Sequence, residues 1–548
     1  MGFPRSGIVL TAFSFVSLTL LFYVYSFSFV SASITQQPLV QQEYQEHHGK
    51  RVAIIGAGSG GSSTAYYLRR FAASYPVNIT IFESKSYIGG RSTTVNVFDD
   101  PSQPVELGAS IFVTVNHNLV NAAKEFGLGV SDTADSRPDD DNVDPLGVYD
   151  GNQFVFRQPR TEGKVADWWS LAKLLWKYGP LAPIRTKKLM ESTIGKFLGM
   201  YEAPLFPFAS LSSAVEEAGL LEATTETGAQ FLEKNGITGG FATDLIQAST
   251  RVNYGQNLGL IHGLETMVCM AAEGAVSVDG GNWRIFSGMV DASKADARLE
   301  TKVTTLKQDS EGGKTWLVTS VGPDGAVVEE EYDTVVLTSP YQFADLTVSP
   351  IARTPDKIPY VTLHVTLFTS PRRLDPGYFG LQPDDVVPGA VITTLNATEQ
   401  ADEQGRWARG EGKDGVGSVG FFSISTLRSL VNFNLEPSED GVPKGRFEYL
   451  YKVFSPEKFS DKQLHAIIGA KDSDDAKVSW IYRHVWQAYP YLYPRVTFED
   501  PILGENLWYT SGIESFISTM ETSSLMGMNV ARLVVDGWTK EGEQDMQL

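Results

Sequence analysis

Apolar and polar positions follow one another along the chain in runs that predict both strands and helices. Residues 52–55 and 77–82 are largely apolar, which is typical of parallel strands buried on both faces. Residues 62–71, between them, have helical character and complete a strand–helix–strand unit. Such a unit favours an α/β fold. β-Branched and aromatic residues predict three later strands, at residues 327–338, 360–368 and 419–425.

The first apolar run predicts processing rather than fold. Arg5 precedes residues 8–30, which are apolar with interspersed Ser and Thr, and small residues follow directly. We therefore expect residues 1–32 to be a signal peptide, and the polar, Gln-rich residues 33–50 to be a disordered leader. The run is also long enough to span a bilayer, so an uncleaved signal anchor is the alternative.

Two sequons for N-glycosylation, at Asn78 and Asn396, agree with a secretory route. Asn78 starts the second predicted strand, whereas a cofactor binds at the carboxyl end of such strands, so a glycan there would leave the site open. An acidic chain keeps part of its charge at low pH and stays soluble there. We therefore expect the vacuole or lysosome, with the plasma membrane or the extracellular medium as alternatives.

A tryptophan-rich stripe lies at residues 165–176, where apolar residues recur at helical spacing. Core packing is one interpretation of this stripe. The other is a lid over an apolar site or a helix that touches a membrane. Two further segments, residues 132–144 and 399–418, are charged and are predicted to be exposed loops.

The composition of the 548 residues narrows the class of protein. Hydrophobic residues make up 42% and charged residues 20%, which indicates a large packed core and argues against intrinsic disorder. The formal net charge of −20 argues against nucleic acid as a partner, because nucleic-acid-binding proteins need a basic face. A single cysteine, Cys269, excludes an intrachain disulfide and a cysteine-rich zinc site. The histidines are scattered, so no metal site is predicted.

A glycine-rich turn after the first strand carries the strongest chemical signal. Gly56 allows the tight turn, Gly58 lets the backbone approach a pyrophosphate, and Gly61 lets helix and strand pack closely. The N-terminus of the following helix stabilises the phosphate charge. Glu83 follows the second strand, 22 residues after Gly61, where a carboxylate accepts from a ribose 2′-hydroxyl. We predict a dinucleotide site that disfavours NADP.

The residues after Glu83 resemble the amine oxidase family and related FAD-dependent oxidases. Gly89, Gly90 and Arg91 match the family's Glu-x5-Gly-Gly-Arg pattern, in which the glycines and the arginine wrap the pyrophosphate. By the same resemblance, Val303 would contact the adenine through its backbone. Further contacts to FAD are expected at Gly108, Ala109, Ser110, Gly512, Met520, Glu521 and Thr522.

The resemblance also implies the architecture. We expect an α/β fold in which a Rossmann-like FAD-binding domain of the amine-oxidase type carries an inserted α+β substrate domain. The predicted segments are 51–130, 271–345 and 501–548 for the FAD-binding domain, and 131–270 and 346–500 for the substrate domain.

Within this group, the chain most resembles the prenylcysteine oxidase family, whose members are also called prenylcysteine or farnesylcysteine lyases. The matching segments are Arg251-Val252-Asn253-Tyr254-Gly255-Gln256, Val278-Asp279-Gly280-Gly281-Asn282, residues 360–368 and Trp486-Gln487-Ala488-Tyr489-Pro490. The resemblance implies that FAD accepts a hydride from the carbon bonded to sulfur in S-prenylcysteine. With O2 and water, the products are a prenyl aldehyde, cysteine and hydrogen peroxide. Farnesyl and geranylgeranyl substrates both stay open.

Candidate catalytic side chains concentrate in the first of these segments. Arg251 pairs with the carboxylate of the substrate cysteine or forms a structural ion pair. Tyr254 or Gln256 orients substrate or water. Asn253 and His262 complete the set, and capping or packing is the alternative role of His262.

Each buried CH2 group of an isoprenoid contributes about 0.8 kcal/mol, so an apolar groove binds such a chain well. Residues 168–176 and 206–208 are the candidates for that groove. A flavin amine oxidase acting on polyamines and a non-enzymatic prenyl-lipid-binding protein are the alternative functions. Peripheral contact with a membrane is expected, and the oligomeric state stays open.

Overall fold

The computed structural model describes residues 49–132, 143–158, 174–272, 274–308, 314–434, 445–471 and 478–545. The predicted signal peptide, nearly all of the leader, most of the tryptophan stripe and most of the loop at 132–144 lie outside these residues. Among the residues described, no helix combines the length and the apolar character that crossing a bilayer requires.

The described residues contain twenty-two strands and twelve α-helices, besides the helical residues 174–178 and several short helical turns. The strands are β1 (Lys50–Ile55), β2 (Val77–Phe82), β3 (Thr94–Asn96), β4 (Pro104–Glu106), β5 (Phe112–Val113), β6 (Val130–Asp132), β7 (Leu146–Tyr149), β8 (Phe154–Gln158), β9 (Ala275–Val278), β10 (Asp296–Arg298), β11 (Lys302–Gln308), β12 (Trp316–Val321), β13 (Val327–Tyr332), β14 (Thr334–Leu337), β15 (Thr347–Ser349), β16 (Tyr360–Ser370), β17 (Ala390–Thr393), β18 (Ser423–Asn432), β19 (Arg446–Ser455), β20 (Trp480–Pro490), β21 (Ile502–Gly504) and β22 (Leu507–Tyr509). The helices are α1 (Ser59–Phe71), α2 (His117–Glu125), α3 (Leu181–Leu198), α4 (Leu211–Glu217), α5 (Leu221–Thr225), α6 (Gly228–Lys234), α7 (Gln247–Tyr254), α8 (Gly263–Met270), α9 (Trp283–Ser293), α10 (Gly412–Gly415), α11 (Asp461–Ile467) and α12 (Met520–Asp545).

The first sheet has six strands in the order β10–β2–β1–β14–β22–β21. The first five are parallel, and β21 alone is antiparallel to its neighbour. Val52 and Ile54 of β1 pack against α1 and α12, whereas Ala53 faces a second, four-stranded sheet. The five parallel strands bring their carboxyl ends to one edge, which is where open α/β sheets bind ligands.

The four-stranded sheet, β13–β12–β11–β15, corrects one predicted strand. Residues 327–338 form two strands, β13 and β14, which belong to different sheets. Asp333 separates them, because its amide donates to the Arg51 carbonyl (2.9 Å) and its carboxylate accepts from the Arg51 amide (2.7 Å). These bonds attach Asp333 to the start of β1 and direct the chain into the first sheet.

The third sheet has seven strands in the order β20–β16–β19–β18–β17–β7–β8. Along β16, Leu363, Val365 and Leu367 point to one face, whereas Phe368 packs on the other. The Leu363 face packs against the β3–β4 hairpin, which belongs to the cofactor side of the molecule. One face of this sheet therefore lies towards the edge where a cofactor would bind.

Sheet membership shows how the chain divides. The strands of the first sheet come from residues 50–82, 296–337 and 502–509, and those of the seven-stranded sheet from 146–158 and 360–490. β15 departs from the predicted division, because it lies beyond residue 345 but pairs with β11. The chain thus returns to the first sheet twice after leaving it.

Helices α3 to α8 form a layer whose core is continuous with that of α12. Phe208, which the sequence suggested as part of an isoprenoid groove, is buried in this core, and Phe206 packs against it. The Phe208 amide and carbonyl both bond to the Asn529 side chain (2.8 Å each). Residues 206–208 are therefore structural, because the α12 helix covers them.

Candidate cofactor and substrate site

The glycine turn between β1 and α1 has the geometry that a phosphate requires. Gly56 has φ +110°, a value that disfavours side chains, and a Cβ on Gly61 would lie 1.9 Å from the Gly56 carbonyl oxygen. At Gly58 the space is open, with the Gly90 Cα 3.8 Å from an added Cβ. Gly58 caps α1 without any side-chain hydrogen bond, so the first-turn amides remain available to an anion.

A second glycine pair completes the cradle. The Gly89 amide donates to the Ala57 carbonyl (2.9 Å), and a Cβ on Gly90 would lie 3.2 Å from the Gly58 Cα. Both glycines have positive φ. Next to them, the Ser92 hydroxyl is buried and has no hydrogen-bond partner among the described residues. Burying a hydroxyl without a hydrogen-bond partner costs free energy. The Ser92 hydroxyl is therefore suited to bond to a polar ligand such as a pyrophosphate.

Glu83 lies at the carboxyl end of β2, as predicted. Its carboxylate accepts from the Ala57 amide and from the Lys85 amide (2.8 Å each). A carboxylate offers about four lone-pair positions, so acceptor capacity remains for ribose hydroxyls. The Glu83 carbonyl accepts from Thr301 (2.8 Å), which places the start of β11, with Val303 buried in it, beside the same edge.

Arg91, which the resemblance places at the pyrophosphate, has partners within the protein. Its guanidinium donates to the Glu514 carboxylate (2.6 Å) and to the Ala488 carbonyl (2.7 Å). Glu514 is buried and also accepts from the Tyr360 hydroxyl (3.2 Å). Because Glu514 balances the charge of Arg91, this arginine mainly ties the glycine loop to the C-terminal turn. Gly512 lies in that same turn.

The segment Gly108-Ala109-Ser110 is held by the substrate side of the molecule. A Cβ on Gly108 would lie 2.8 Å from the Trp486 ring, so β20 approaches closely here. The Ala109 carbonyl accepts from the Asn282 side chain (2.8 Å). Ser110 accepts from Lys452 Nζ, again at 2.8 Å. Contacts from three distant parts of the chain therefore fix this predicted flavin-side loop.

Lys452 was missed by the sequence analysis. It is buried on β19, and its ammonium also donates to the Glu106 carbonyl (2.9 Å). Burial lowers the pKa of Lys452 and raises the pKa of the neighbouring Glu106 carboxyl. No local pattern marks it, because the contact to Ser110 spans more than three hundred residues.

The N-terminus of α12 meets that of α1. The Ser59 hydroxyl donates to the Met520 carbonyl (2.6 Å), and the Thr519 hydroxyl accepts from the Thr522 amide (3.1 Å) to cap the helix. The Glu521 carboxylate accepts from two amides at the start of α2 and from the Tyr201 hydroxyl (2.7–3.0 Å), so the predicted contact to FAD at this residue would be made by its backbone. It caps α2, so its side chain is committed to protein contacts.

Arg251 does not have either of its predicted roles. It is fully buried, and all of its partners are neutral oxygens: the carbonyls of Thr393, Gly415 and Val416, the Thr393 hydroxyl and the Asn257 amide oxygen. With its donors occupied, it cannot receive a substrate carboxylate. Its partners also show that the end of the segment at 399–418, predicted to be an exposed loop, is anchored in the interior.

Two other candidates are also structural. The Asn253 side chain donates to the Ser249 carbonyl one turn earlier in α7 (2.9 Å). The Gln256 amide donates to the Pro490 carbonyl (3.0 Å), and its oxygen accepts from the Leu492 amide (2.9 Å). Gln256 therefore orders the chain after β20.

Tyr254 and His262 lie in a fully buried cluster with Glu265, which the sequence analysis missed. The Tyr254 hydroxyl lies 3.3 Å from the Ser518 carbonyl, just before α12, and its ring packs edge-on against Tyr489. His262 caps α8 through Nδ1, and burial lowers its pKa to about 3, so it is neutral near pH 7. Burial raises the pKa of Glu265 to about 8. Of the five candidates, Tyr254 and His262 both contact the segment that precedes α12.

Two further features concern metal binding and thiol chemistry. Among the described residues, no group of His, Cys, Asp and Glu side chains could hold a metal ion. Cys269 is buried, and burial raises the pKa of its thiol well above the usual range. The Trp176 side chain, at the end of the tryptophan stripe, is 93% exposed and is not part of the core, whereas Leu174 packs against it.

Comparison with known proteins places these features in a family context. The prenylcysteine lyase family profile matches residues 161–546, and the NAD(P)-binding Rossmann-like domain profile matches residues 54–126. Farnesylcysteine lyase of Arabidopsis thaliana is 27% identical over 507 residues, covering 89% of each chain. Prenylcysteine oxidase 1 of Homo sapiens is 26% identical over 512 residues, covering 90% of each chain.

Solved structures agree at the level of the fold. Cyclohexylamine oxidase from Brevibacterium oxydans superposes with a TM-score of 0.53 at 16% identity, over 90% of this chain and all of that one. A putrescine oxidase double mutant gives 0.52 at 13% identity, over 89% and 99%. These likenesses confirm the predicted α/β fold of the amine-oxidase type, and the glycine cradle with Glu83 and Ser92 fits FAD as the cofactor.

Proposed function

This chain belongs to the prenylcysteine lyase family, and from that premise we propose that it cleaves the thioether of S-prenylcysteine oxidatively. Bound FAD supplies the hydride acceptor for such chemistry. One prenylcysteine, one O2 and one water give one prenyl aldehyde, one cysteine and one hydrogen peroxide, so atoms and electrons balance. The C–S bond breaks, the carbon is oxidised to the aldehyde, and O2 is reduced.

The observation that carries the proposal is an apolar sheet face next to the cofactor loop. We call it the substrate face and define it as the partly buried β20 side chains Trp480, Tyr482, His484 and Trp486, which lie over the buried Leu363, Val365 and Leu367. Trp480 and Tyr482 stack in register along β20, and both are only partly buried. Trp486, at the end of this row, contacts Gly108 of the flavin-side loop. An isoprenoid lying along the row would reach the cofactor at Trp486.

Burial energetics favour a prenyl group over a polyamine on this face. Each CH2 unit removed from water contributes about 0.8 kcal/mol, and a farnesyl chain presents many such units. A polyamine, in contrast, would have to bury ammonium groups, which requires paired charges. Lys452 lies on the same face and would repel a cationic substrate. Lys452 also orients Ser110, so its role in the proposal is to hold the loop.

The decisive experiment is product analysis with purified, flavin-loaded protein. Farnesylcysteine and O2 should give peroxide, cysteine and farnesal in equal amounts, whereas spermine and cyclohexylamine should give no peroxide. Geranylgeranylcysteine, tested in parallel, reports how long a chain the substrate face accepts. If the flavin were reduced by an amine and not by either prenylcysteine, the proposal would be wrong.

We propose in addition that the protein enters the secretory pathway and is glycosylated. Asn78 is exposed at the amino end of β2, on the opposite edge of the sheet from Glu83, and Asn396 is partly exposed beside exposed Thr398. Both asparagines are therefore accessible to a glycan that leaves the cradle open. A glycosidase-sensitive mass shift that is lost on Asn78→Gln and Asn396→Gln, in protein expressed with its first 32 residues, supports this route.

A further inference from the structure

The start of helix α3 exposes large apolar side chains to solvent. Trp176 is 93% exposed, and Leu181 and Ile184 are 60% and 47% exposed. Leu181 and Ile184 are three residues apart on α3, so they share one face of the helix. Single exposed apolar residues are ordinary, but a nearly bare tryptophan within nine residues of two more is not.

The charge around these residues has the opposite sign to that of the whole chain. Residues 174–190 contain Lys177, Arg185, Lys187 and Lys188 and no Asp or Glu, although acids number 65 in 548 residues. Arg185 and Lys188 are exposed on α3, whose lysines, arginine and single glutamate sum to a net charge of +3. Lys177 is paired with Asp244 (2.9 Å) and so contributes less. A basic apolar surface on a chain of net charge −20 indicates a specific partner.

We propose that this surface, Trp176, Leu181, Ile184, Arg185 and Lys188, docks the protein on the interface of an anionic lipid bilayer. Tryptophan is favoured at the level of lipid headgroups, and arginine and lysine are attracted to anionic lipids. Leucine and isoleucine on the same helix face enter the acyl boundary, as in interfacial amphipathic helices. The negative net charge of the chain would repel its other faces from an anionic bilayer. The basic apolar surface therefore determines how the protein is oriented on the membrane.

Helix α3 connects the surface to the cofactor side of the molecule. At its C-terminal end, Phe197 contacts Phe516, and the Tyr201 hydroxyl that follows bonds to Glu521 at the start of α12. At 1.5 Å per residue, Leu181 and Phe197 lie about 24 Å apart along the helix. The docking surface and the residues beside the start of α12 are therefore joined by one continuous helix.

Vesicle binding tests the proposal with flavin-loaded protein. Wild type should co-float with vesicles of phosphatidylcholine and phosphatidylserine, and less with phosphatidylcholine alone or at high salt. The double substitution Trp176→Ser and Ile184→Ser should weaken binding about tenfold or more, because it removes two apolar anchors. Arg185→Gln with Lys188→Gln should weaken binding to the anionic vesicles only.

Matched controls separate docking from folding and from catalysis. Val327→Ser and Phe447→Ser remove exposed apolar side chains from two sheets and should leave vesicle binding unchanged. All variants should keep their flavin absorbance and their turnover of a soluble prenylcysteine, so a failure of the proposed activity leaves the docking result readable. No binding by wild type, undiminished binding by the double variant, or a surface that instead joins two copies in solution would overturn the proposal.

Discussion

The cofactor half and the substrate half of the site are built by opposite means. The cofactor half is built mainly from backbone atoms within residues 50–92, with the Glu83 and Ser92 side chains beside them, and Gly61 allows an approach that no Cβ permits. The substrate half consists of side chains from distant strands and helices, such as Lys452 reaching Ser110. A site made of backbone depends on glycines at short spacing, whereas a site made of side chains depends on which strands become neighbours. The first kind is visible in a sequence, and the second is not.

The largest expected effect comes from closing the backbone cradle. Gly61→Ala should abolish flavin loading and lower stability by more than about 3 kcal/mol, because its Cβ would lie 1.9 Å from the Gly56 carbonyl oxygen. Flavin absorbance per protein measures the loading, and thermal unfolding measures the stability. Gly195→Ala is the matched control, since nothing lies within 4 Å of its Cβ and alanine favours the helix. A variant that loads flavin normally would show that the cradle tolerates a side chain.

The next effect tests Arg251 on the substrate side. Arg251→Gln should lower the free energy of unfolding by about 3 kcal/mol, because the buried carbonyls of Thr393 and Val416 lose the guanidinium as donor. The KM of the folded variant should stay near that of wild type. Arg284→Gln, at an exposed arginine, is the control. A raised KM without loss of stability would instead indicate the carboxylate-binding role.

Glu265 should make stability depend on pH. Burial raises its pKa from 4.5 to about 8, so the folded protein holds this proton more tightly than the unfolded chain. The stabilisation is fully present below pH 4.5 and is lost as the pH rises towards 8. Relative to wild type, Glu265→Gln should therefore gain about 2 kcal/mol between about pH 6.5 and 8, at 1.36 kcal/mol per pH unit.

The titration of His262 limits the pH range in which the effect of Glu265 on stability can be measured alone. Burial lowers its pKa from 6.5 to about 3, so the unfolded chain binds this proton first, and stability falls as the pH drops below 6.5. The two groups therefore oppose one another between pH 4.5 and 6.5, and Glu265 acts alone above that range. Denaturant unfolding across the pH range, with exposed Glu191→Gln as control, checks both slopes. A difference independent of pH would contradict the buried neutral carboxyl.

The smallest expected effect concerns Ser92 on the cofactor side. Ser92→Ala should weaken FAD affinity by about 1 kcal/mol, or roughly fivefold, because one neutral hydrogen bond is lost. Titration of the flavin-free protein with FAD gives the dissociation constant. Ser59→Ala, whose hydroxyl bonds to Met520, is a control for general disturbance of the loop. Unchanged affinity with raised stability would mean that the Ser92 hydroxyl has no partner in the holoprotein either.

Sequence reasoning succeeded where chemistry depends on local spacing. The β1–α1 turn and Glu83 lie where the glycine pattern put them, and β2 has the predicted bounds. It failed at Arg251, whose partners are the distant carbonyls of Thr393, Gly415 and Val416. In a sequence motif, a charged residue that binds a ligand cannot be told from one that donates hydrogen bonds to buried carbonyls. Only the partners of the side chain in the folded protein distinguish these two roles.

By itself, the sequence determined the fold class, the dinucleotide cradle and the family. Each of these rests on glycine freedom, apolar runs or residue order, which are properties of short segments. The tertiary structure decided the roles of side chains. It placed Ser92 unpaired in the cradle, buried Glu265 next to Tyr254, and set the aromatic row of β20 against Gly108. Those facts depend on how segments pack against one another, in the case of Gly108 and Trp486 across hundreds of positions, and the linear order does not reveal that packing.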